Sequence, residues 1–307
     1  MAIAQPIFSS AAGSHRTFND LPPELLHVIL RVIQDRYALK CVASLSRYLR
    51  TVALGYVFST AASVKDSASF GHFARFLHQY PHIAASIQHL VLNGQARDPA
   101  YALSDDLLAS MVKHMPNLKT LRFAAVHFQS HFGPRNETCA CPSPRKPFKL
   151  QELWLGWDHS EQSTLSSIFR VLSIFEVDDL DASLAGWRFD PAVPFDDTCL
   201  HRPLRVTSLE VGCSPDSPSY TTAAINAFCG SLASGSLKRL AVTYDSPETV
   251  SAVGRLLTRV GGDVEELRIR TALPKDERQE EEHIWTDPLE CEWLRLLLTL
   301  RRNLNEL

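Results

Sequence analysis

The sequence lacks the signals that direct a chain into a membrane or out of the cell. Its first residues, MAIAQPIFSSAAGSHRTF, have neither a basic start nor an unbroken apolar stretch, and no later segment approaches the roughly 20 apolar residues of a membrane span. The 307 residues carry a net charge of −3 and no long basic run, which gives no reason to expect a nucleic-acid binder. We expect a cytoplasmic or nuclear protein that binds neither membranes nor nucleic acids.

Catalytic and cofactor-binding motifs are also missing. The sequence has no G-x-S-x-G, G-x-x-x-x-G-K-[ST], H-E-x-x-H or G-x-G-x-x-G pattern, and its histidines show no spacing that suggests a base with an orienting acid. Without an export signal, the seven scattered cysteines do not indicate a disulfide framework. The acidic run KDERQEEE at 275–282 is typical of a solvated loop or helix start. We expect no enzymatic activity, no catalytic residue and no cofactor.

One segment holds residue types that bind zinc. His127, His131, Cys139 and Cys141 lie close together in the sequence and offer nitrogen and sulfur ligands. The Cys-x-Cys step differs from the usual zinc-site spacing and no second cysteine pair follows, so we favour a loop with incidental ligands and no metal. An enzyme that uses Cys139 or Cys141 as its nucleophile stays open as an alternative.

The segment LPPELLHVILRVI at 21–33 is almost entirely apolar. Its two prolines suit a helix first turn, and the glutamate beside them complements the positive end of the helix dipole. Val28 and Val32 fall outside the main apolar stripe, which consists of Leu25, Leu26, Ile29, Leu30 and Ile33. A second helical pattern begins at about Asp35 and continues to Val52. The two helices form too small a cluster to bury all this surface, which predicts a partner protein or a packed neighbouring domain.

This helical segment resembles the F-box motif, the adaptor-binding module of Skp/cullin/F-box ubiquitin ligases. The resemblance is carried by Leu21-Pro22-Pro23-Glu24-Leu25, then Ile29-Leu30, then Leu39, Val42 and LSRYLR at 45–50. Leu49 stands where the family often has an aromatic residue. The resemblance implies a three-helix module that docks on a Skp-type adaptor, and through it on a cullin, with contacts from Leu21, Pro22, Leu25, Ile29, Leu30, Leu39 and Val42.

The rest of the chain shows internal repetition. An apolar-x-x-apolar-x-apolar pattern recurs every 27 to 32 residues, starting at Ile87, Leu118, Leu150, Val177, Val206, Leu237 and Val264. Helical patterns lie between several of these strands, at 104–115, 221–233 and 247–260. We predict an α/β fold in which a strand/helix solenoid with a parallel sheet, similar to leucine-rich-repeat F-box receptors, follows the F-box. The predicted organisation is a disordered tail at 1–17, the F-box at 18–60 and the repeats at 61–307, with insertion loops at about 127–149 and 183–204.

Strand alternation indicates which side chains of the repeats can meet a ligand. The predicted target-binding residues are Arg122, Glu152, Trp154, Asp181, Glu210, Arg239 and Arg268. Acidic residues occupy the middle strands and basic residues the last two, so a target with basic and then acidic character would suit the surface. Trp154 is the predicted anchor; in the alternative interpretation it packs against the following loop or Trp157.

The sequence thus predicts a non-catalytic substrate receptor. Following the resemblance, the F-box would bind the Skp-type adaptor while the repeats hold an unknown protein substrate. The alternative is a leucine-rich-repeat-like scaffold that engages no ubiquitin ligase. In that case its N-terminal helices would cap the array and be covered by the first repeat.

Overall fold

A computed structural model describes the helical segment and most of the repeats. The residues described are 21–33, 35–60, 62–65, 68–94, 103–128, 146–156, 164–183, 194–212, 218–244, 246–271 and 282–285. The chain divides into two compact units, Met1–Thr60 and Ala61–Leu307. The predicted tail at 1–17 and the residues His131, Cys139, Cys141 and Trp157 lie outside the described residues.

The first unit contains three helices, α1 (Pro23–Val32), α2 (Arg36–Leu45) and α3 (Arg47–Thr60). α1 begins at the proline pair, as predicted. α2 is capped by Asp35, whose side chain accepts a 2.9 Å hydrogen bond from the Tyr37 backbone N–H. The prediction that the second helix continues to Val52 is wrong. Ser46 is extended (φ −156°, ψ 162°) and ends α2, and its hydroxyl then accepts the Leu49 N–H at 3.1 Å at the start of α3.

The three helices share a small apolar core. Its buried members are Leu30, Leu39, Ala43, Ala53 and Val57. Ile33, Val42, Val52 and Tyr56 pack against this cluster and are partly buried. The His27 ring and the Tyr56 hydroxyl, 2.8 Å apart, add a polar link between α1 and α3. One side of each helix therefore packs into this core, and the other sides do not contribute to it.

The second unit is built on a nine-stranded sheet whose strands lie in sequence order. The strands are β1 (Ala62–Lys65), β2 (His89–Asn93), β3 (Thr120–Ala124), β4 (Phe148–Leu155), β5 (Phe175–Ser183), β6 (Arg205–Gly212), β7 (Arg239–Tyr244), β8 (Glu266–Thr271) and β9 (Glu282–Trp285). Strands β1 to β8 pair in parallel, and β9 pairs antiparallel with β8. The α/β class and the parallel sheet are confirmed. All seven repeat patterns contribute to strands β2 to β8.

Helices in the connections cover one face of this sheet. They are α4 (Ala68–Gln79), α5 (Pro81–Ala84), α6 (Asp105–Lys113), α7 (Leu165–Leu172), α8 (Pro218–Ser231) and α9 (Pro247–Val260). Three of them begin at a hydroxyl N-cap: Ser104 for α6, Thr164 for α7 and Ser246 for α9. The repeated apolar strand residues are buried, including Leu90, Leu121, Leu153, Leu180, Leu209, Leu240 and Leu267.

A buried ionic contact joins three of the connections between strands. Asp105, in the first turn of α6, is 3% exposed. One of its carboxylate oxygens accepts hydrogen bonds from Arg170 Nε of α7 at 2.7 Å and from His201 Nε2 at 3.0 Å. Burial by itself raises the pKa of Asp105, but the hydrogen bonds and positive charge of His201 and Arg170 outweigh it and hold that pKa well below its usual range. The carboxylate is therefore ionised and paired.

Several elements were not predicted. The helix α7 and the strands β1 and β9 had no counterpart in the sequence analysis. A loop or helix start was predicted for 275–282. The prediction is wrong for its last residue, because Glu282 begins β9, and residues 272–281 lie outside the described ones. The predicted loop at 127–149 ends earlier than expected, since β4 already begins at Phe148. The described part of the second loop contains a short 3-10 turn, Asp197–Cys199.

Candidate functional site

Apolar side chains remain exposed on the helical unit. On α1, Leu25 is 50% exposed, Val28 58% and Val32 75%. Their spacing of three and four residues places them on one side of the helix, away from the buried Leu26 and Leu30. One side of α1 is therefore buried in the unit, and another side is apolar but exposed.

The second helix repeats this arrangement. Tyr37 and Leu45 are 74% and 69% exposed, and the exposed Cys41 lies between them at four-residue spacing. Tyr48, in the first turn of α3, is 40% exposed. We call Leu25, Val28, Val32, Tyr37, Leu45 and Tyr48 the apolar surface. A contiguous stripe of exposed apolar side chains is typical of a protein-binding surface, and Leu25, Val28 and Val32 form such a stripe on one side of α1.

The residues predicted to contact an adaptor divide into two groups. Pro22 and Leu25 are exposed, and Leu21 and Ile29 are half-buried. Leu30 and Leu39, at 1% and 0% exposure, belong to the core, and Val42 packs against it. The fold itself covers the side chains of Leu30 and Leu39, so neither is accessible for a direct contact.

Sequence reasoning missed most of the apolar surface. Val28 and Val32 had been recognised as lying outside the main apolar stripe of α1, and this signal could have placed them in the contact set. Tyr37 gave no such signal, because the exposed side of α2 depends on how that helix packs. Leu45 lies within the second helical pattern of the sequence, and it is exposed in the structure.

The uncovered face of the sheet carries all seven predicted target-binding residues. In the register of the strands, one row runs Arg122, Trp154, Asp181, Glu210, Ala241, Arg268. A neighbouring row runs Thr120, Glu152, Asp179, Ser208, Arg239, Glu266. We call these two rows the polar face. Alternation along each strand puts these side chains opposite the buried leucines.

Arginines neutralise most of the carboxylates on the polar face. Arg122 donates to Glu152 on the adjacent strand at 2.7 Å. Two longer pairs cross an intervening strand: Arg239 reaches Asp179 at 2.9 Å, and Arg270 reaches Glu210 at 2.9 Å. Ser208 is the intervening residue in the row of Asp179 and Arg239. Arg270 lies outside the two rows, beside Thr243, and Ala241 is the register partner of Glu210 on the intervening strand. The small side chains of Ser208 and Ala241 leave room for the guanidinium groups above the sheet.

The basic end of the polar face has a shallow depression of about 140 Å³. It is lined by Ser208, Glu210, Arg239, Leu240, Ala241, Glu266, Arg268 and Arg270. Arg268 Nε is 2.5 Å from a carboxylate oxygen of Glu266 on the same strand. Each of the three arginines in the depression therefore already has a carboxylate partner. The attraction of this end of the polar face for an acidic target segment is accordingly weaker than the sequence analysis predicted.

Trp154 and Asp181 occupy neighbouring positions in the acidic part of the polar face. The two residues are register partners on β4 and β5, and the Trp154 side chain helps to lower the pKa of Asp181. The ring also passes so close to Gly156 that a Cβ at that residue would overlap Cη2 and Cζ3 of the indole. Trp154 thus packs against the residue that follows its strand, as the alternative interpretation expected, and it remains partly exposed.

The surroundings of Asp181 disfavour its negative charge. Partial burial and then the nearby carboxylates of Glu210 and Glu152 raise the pKa of Asp181 to about 6, against weaker lowering contributions from Arg122 and Trp154. Asp181 is the member of the polar face with the least compensated charge.

The described residues give little support to metal or thiol chemistry. Among them, no group of three or more His, Cys, Asp or Glu side chains is arranged to hold a metal ion. Of the proposed Cys/His ligands, only His127 falls within the described ranges. Cys199 is buried, and burial together with the charge of Asp196 raises the pKa of its thiol to about 11, which is the reverse of nucleophile activation.

Comparisons with known proteins leave the family open. No protein-family model matches the chain, and no curated protein shows significant sequence similarity to it. Within the described residues, the helices are all too short or too polar to cross a lipid bilayer.

Proposed function

We propose that the chain is the non-catalytic substrate-recognition subunit of a Skp/cullin/F-box ubiquitin ligase. The apolar surface of the helical unit would bind the Skp-type adaptor, and the polar face of the sheet would bind the protein target. The observation that carries the proposal is the apolar surface, which lies in the segment that resembles the F-box motif. No active site is required of this chain, because a ubiquitin-loaded enzyme would be supplied by other subunits.

The apolar surface can supply a large part of the adaptor affinity. Full burial of a valine or leucine side chain is worth about 1.5 to 3 kcal/mol relative to exposure. Leu25, Val28 and Val32 are half to three-quarters exposed, so covering these three would contribute about 3 to 5 kcal/mol. A helix that presents such a stripe fits the helix-in-groove mode of recognition. Tyr37, Leu45 and Tyr48 would extend the contact.

The polar face has the chemistry of a protein-recognition surface. It combines an aromatic side chain, arginines and carboxylates, which are common at the centre and rim of interfaces. A target held there would be presented to the ubiquitin-loaded enzyme at a raised effective concentration and in a restricted orientation. The rate gain would come from positioning alone.

The experiment is co-expression with a Skp-type adaptor and co-purification through a tag on the adaptor. We expect the wild type to be captured, and Val28→Asp and Val32→Asp to bind about 100-fold more weakly or not at all. Each variant would lose the apolar contact of the valine, and the new carboxylate would have to be desolvated in the adaptor groove. Both valines are well exposed, so neither change should unfold the unit.

Arg31→Asp is the matched control, because it introduces the same side chain on the same helix at an exposed position outside the apolar surface. It also carries a similar unfavourable interaction with the helix C-terminus to that of Val32→Asp. Capture of this control with loss of the valine variants would support the proposal. A folded wild type that is not captured would instead favour the scaffold alternative.

A further inference from the structure

The four carboxylates of strands β4 to β6 on the polar face are not equivalent. Glu152, Asp179 and Glu210 each accept a hydrogen bond from an arginine at 2.7 to 2.9 Å. Within the described part of the chain, Asp181 forms no ion pair, and Trp154 is its register partner on the adjacent strand. The arginines of this face are therefore used by the other carboxylates, and one carboxylate remains for an incoming cation.

The aromatic neighbour of Asp181 is held in a defined position. Trp154 and Asp181 are directly paired in the register of β4 and β5. The absence of a side chain at Gly156 lets the indole lie close to the backbone, and Asp181 is its neighbour on the adjacent strand. A partly exposed indole beside a carboxylate offers a cation both the electrostatic attraction of an aromatic ring and a charge-assisted hydrogen bond.

The electrostatic surroundings favour a cation at this place. Asp181 stands between Trp154 and Glu210 in its row, and Glu152 is a further nearby carboxylate. Burial contributes most to the raised pKa of Asp181, and repulsion from Glu210 and Glu152 adds to it although each of these is paired with an arginine, while the charge of Arg122 acts in the opposite direction. A bound ammonium or guanidinium group would relieve that repulsion, whereas an anion would increase it. The complementary ligand is therefore positively charged.

We infer that the polar face binds its protein target through a lysine or arginine side chain that lies against Trp154 and pairs with Asp181. The inference rests on the proposed function in one respect, namely that the sheet holds a protein target. It narrows the class of that target to proteins with an exposed basic segment. The sequence analysis also expected an acidic segment in the target, opposite the arginines of the last strands. That segment is no longer required, because these arginines are already paired with carboxylates of the sheet.

The test uses the full chain labelled with ¹⁵N-tryptophan and two synthetic peptides. The first is acetyl-Gly-Gly-Arg-Gly-Gly-amide; the second has citrulline, which is neutral and nearly identical in shape, in place of arginine. The Trp154 indole N–H signal is assigned with Trp154→Phe and followed in a titration. We expect a saturable shift with the arginine peptide, with a dissociation constant on the order of 10 mM for a single side chain, and at least tenfold weaker binding of citrulline.

Asp181→Asn should abolish the shift caused by the arginine peptide. Asp178→Asn, the same change at an exposed position of the same strand, should leave it intact. Equal binding of the two peptides, no shift in the wild type, or an undiminished shift in a folded Asp181→Asn protein would overturn the inference. Preferential binding of a matched glutamate peptide would overturn it as well. Asp181→Asn should still be captured by the Skp-type adaptor, so failure here is distinguishable from failure of the proposed function.

Discussion

Replacing Asp105 by asparagine should destabilise the sheet-containing unit more than its single-atom change suggests. The carboxylate is 3% exposed and one of its oxygens accepts from both Arg170 and His201. These partners belong to later connections, so the contact joins segments that are 65 and 96 residues apart in the sequence. Asparagine keeps the shape but removes the charge that satisfies the two donors.

The size of the effect follows from the burial of the partners. Breaking a fully buried ion pair by removing one member costs about 3 to 5 kcal/mol. The Arg170 and His201 side chains are 23% and 12% exposed, so water can partly replace the lost acceptor. We therefore expect Asp105→Asn to lower the free energy of unfolding by about 2 to 3 kcal/mol at pH 7.

Urea denaturation followed by circular dichroism measures this difference, with Asp106→Asn as the control. Asp106 is in the same helical turn but is exposed. Because the folded-state pKa of Asp105 is depressed, its stabilisation is fully present above the unfolded-state pKa of about 4 and is lost as the pH falls below it. The gap between wild type and Asp105→Asn should thus shrink below about pH 4. Equal destabilisation by Asp106→Asn, or a gap independent of pH, would show that the ionised Asp105 carboxylate does not stabilise the fold in this way.

Two further substitutions test local features. Gly156→Ala should displace the Trp154 indole and lower the free energy of unfolding by about 1 to 3 kcal/mol, visible as a lower melting temperature and a shifted Trp154 indole signal; an unchanged signal would contradict the overlap. Ser46→Ala should cost about 1 kcal/mol in the helical unit, because it removes the hydroxyl that accepts the Leu49 N–H, whereas unchanged urea denaturation would show that this cap is not needed.

Much of the fold follows from apolar spacing in the sequence. The recurring pattern located β2 to β8 because each of these strands buries two or three side chains against the helices, and such burial leaves a periodic signal. The predicted helix at 247–260 coincides with α9, whose serine N-cap and proline start are both readable. β9 escaped prediction because it is short, follows an acidic run and pairs antiparallel at the edge, where pairing depends on the neighbouring strand.

The candidate surfaces were only partly predictable. Alternation in the strands correctly assigned the seven predicted target-binding residues to the uncovered side of the sheet. It could not show that Arg239 and Arg270 reach across a strand to carboxylates, because such pairs depend on register and on small intervening residues. The break at Ser46 was missed because apolar residues continue at helical spacing through it. Which side of α2 is exposed depends on how this shorter helix packs against α1 and α3, so the exposed side was missed as well.

Hydrogen–deuterium exchange can show whether the apolar surface binds a Skp-type adaptor. The chain is compared alone and with excess purified adaptor, and exchange is followed in peptides from α1, α2 and strands β3 to β8. Adaptor binding should slow exchange in Pro23–Val32 and Arg36–Leu45 and leave the strands unchanged. Unchanged exchange in both helices, or protection confined to the strands, would contradict binding at the apolar surface.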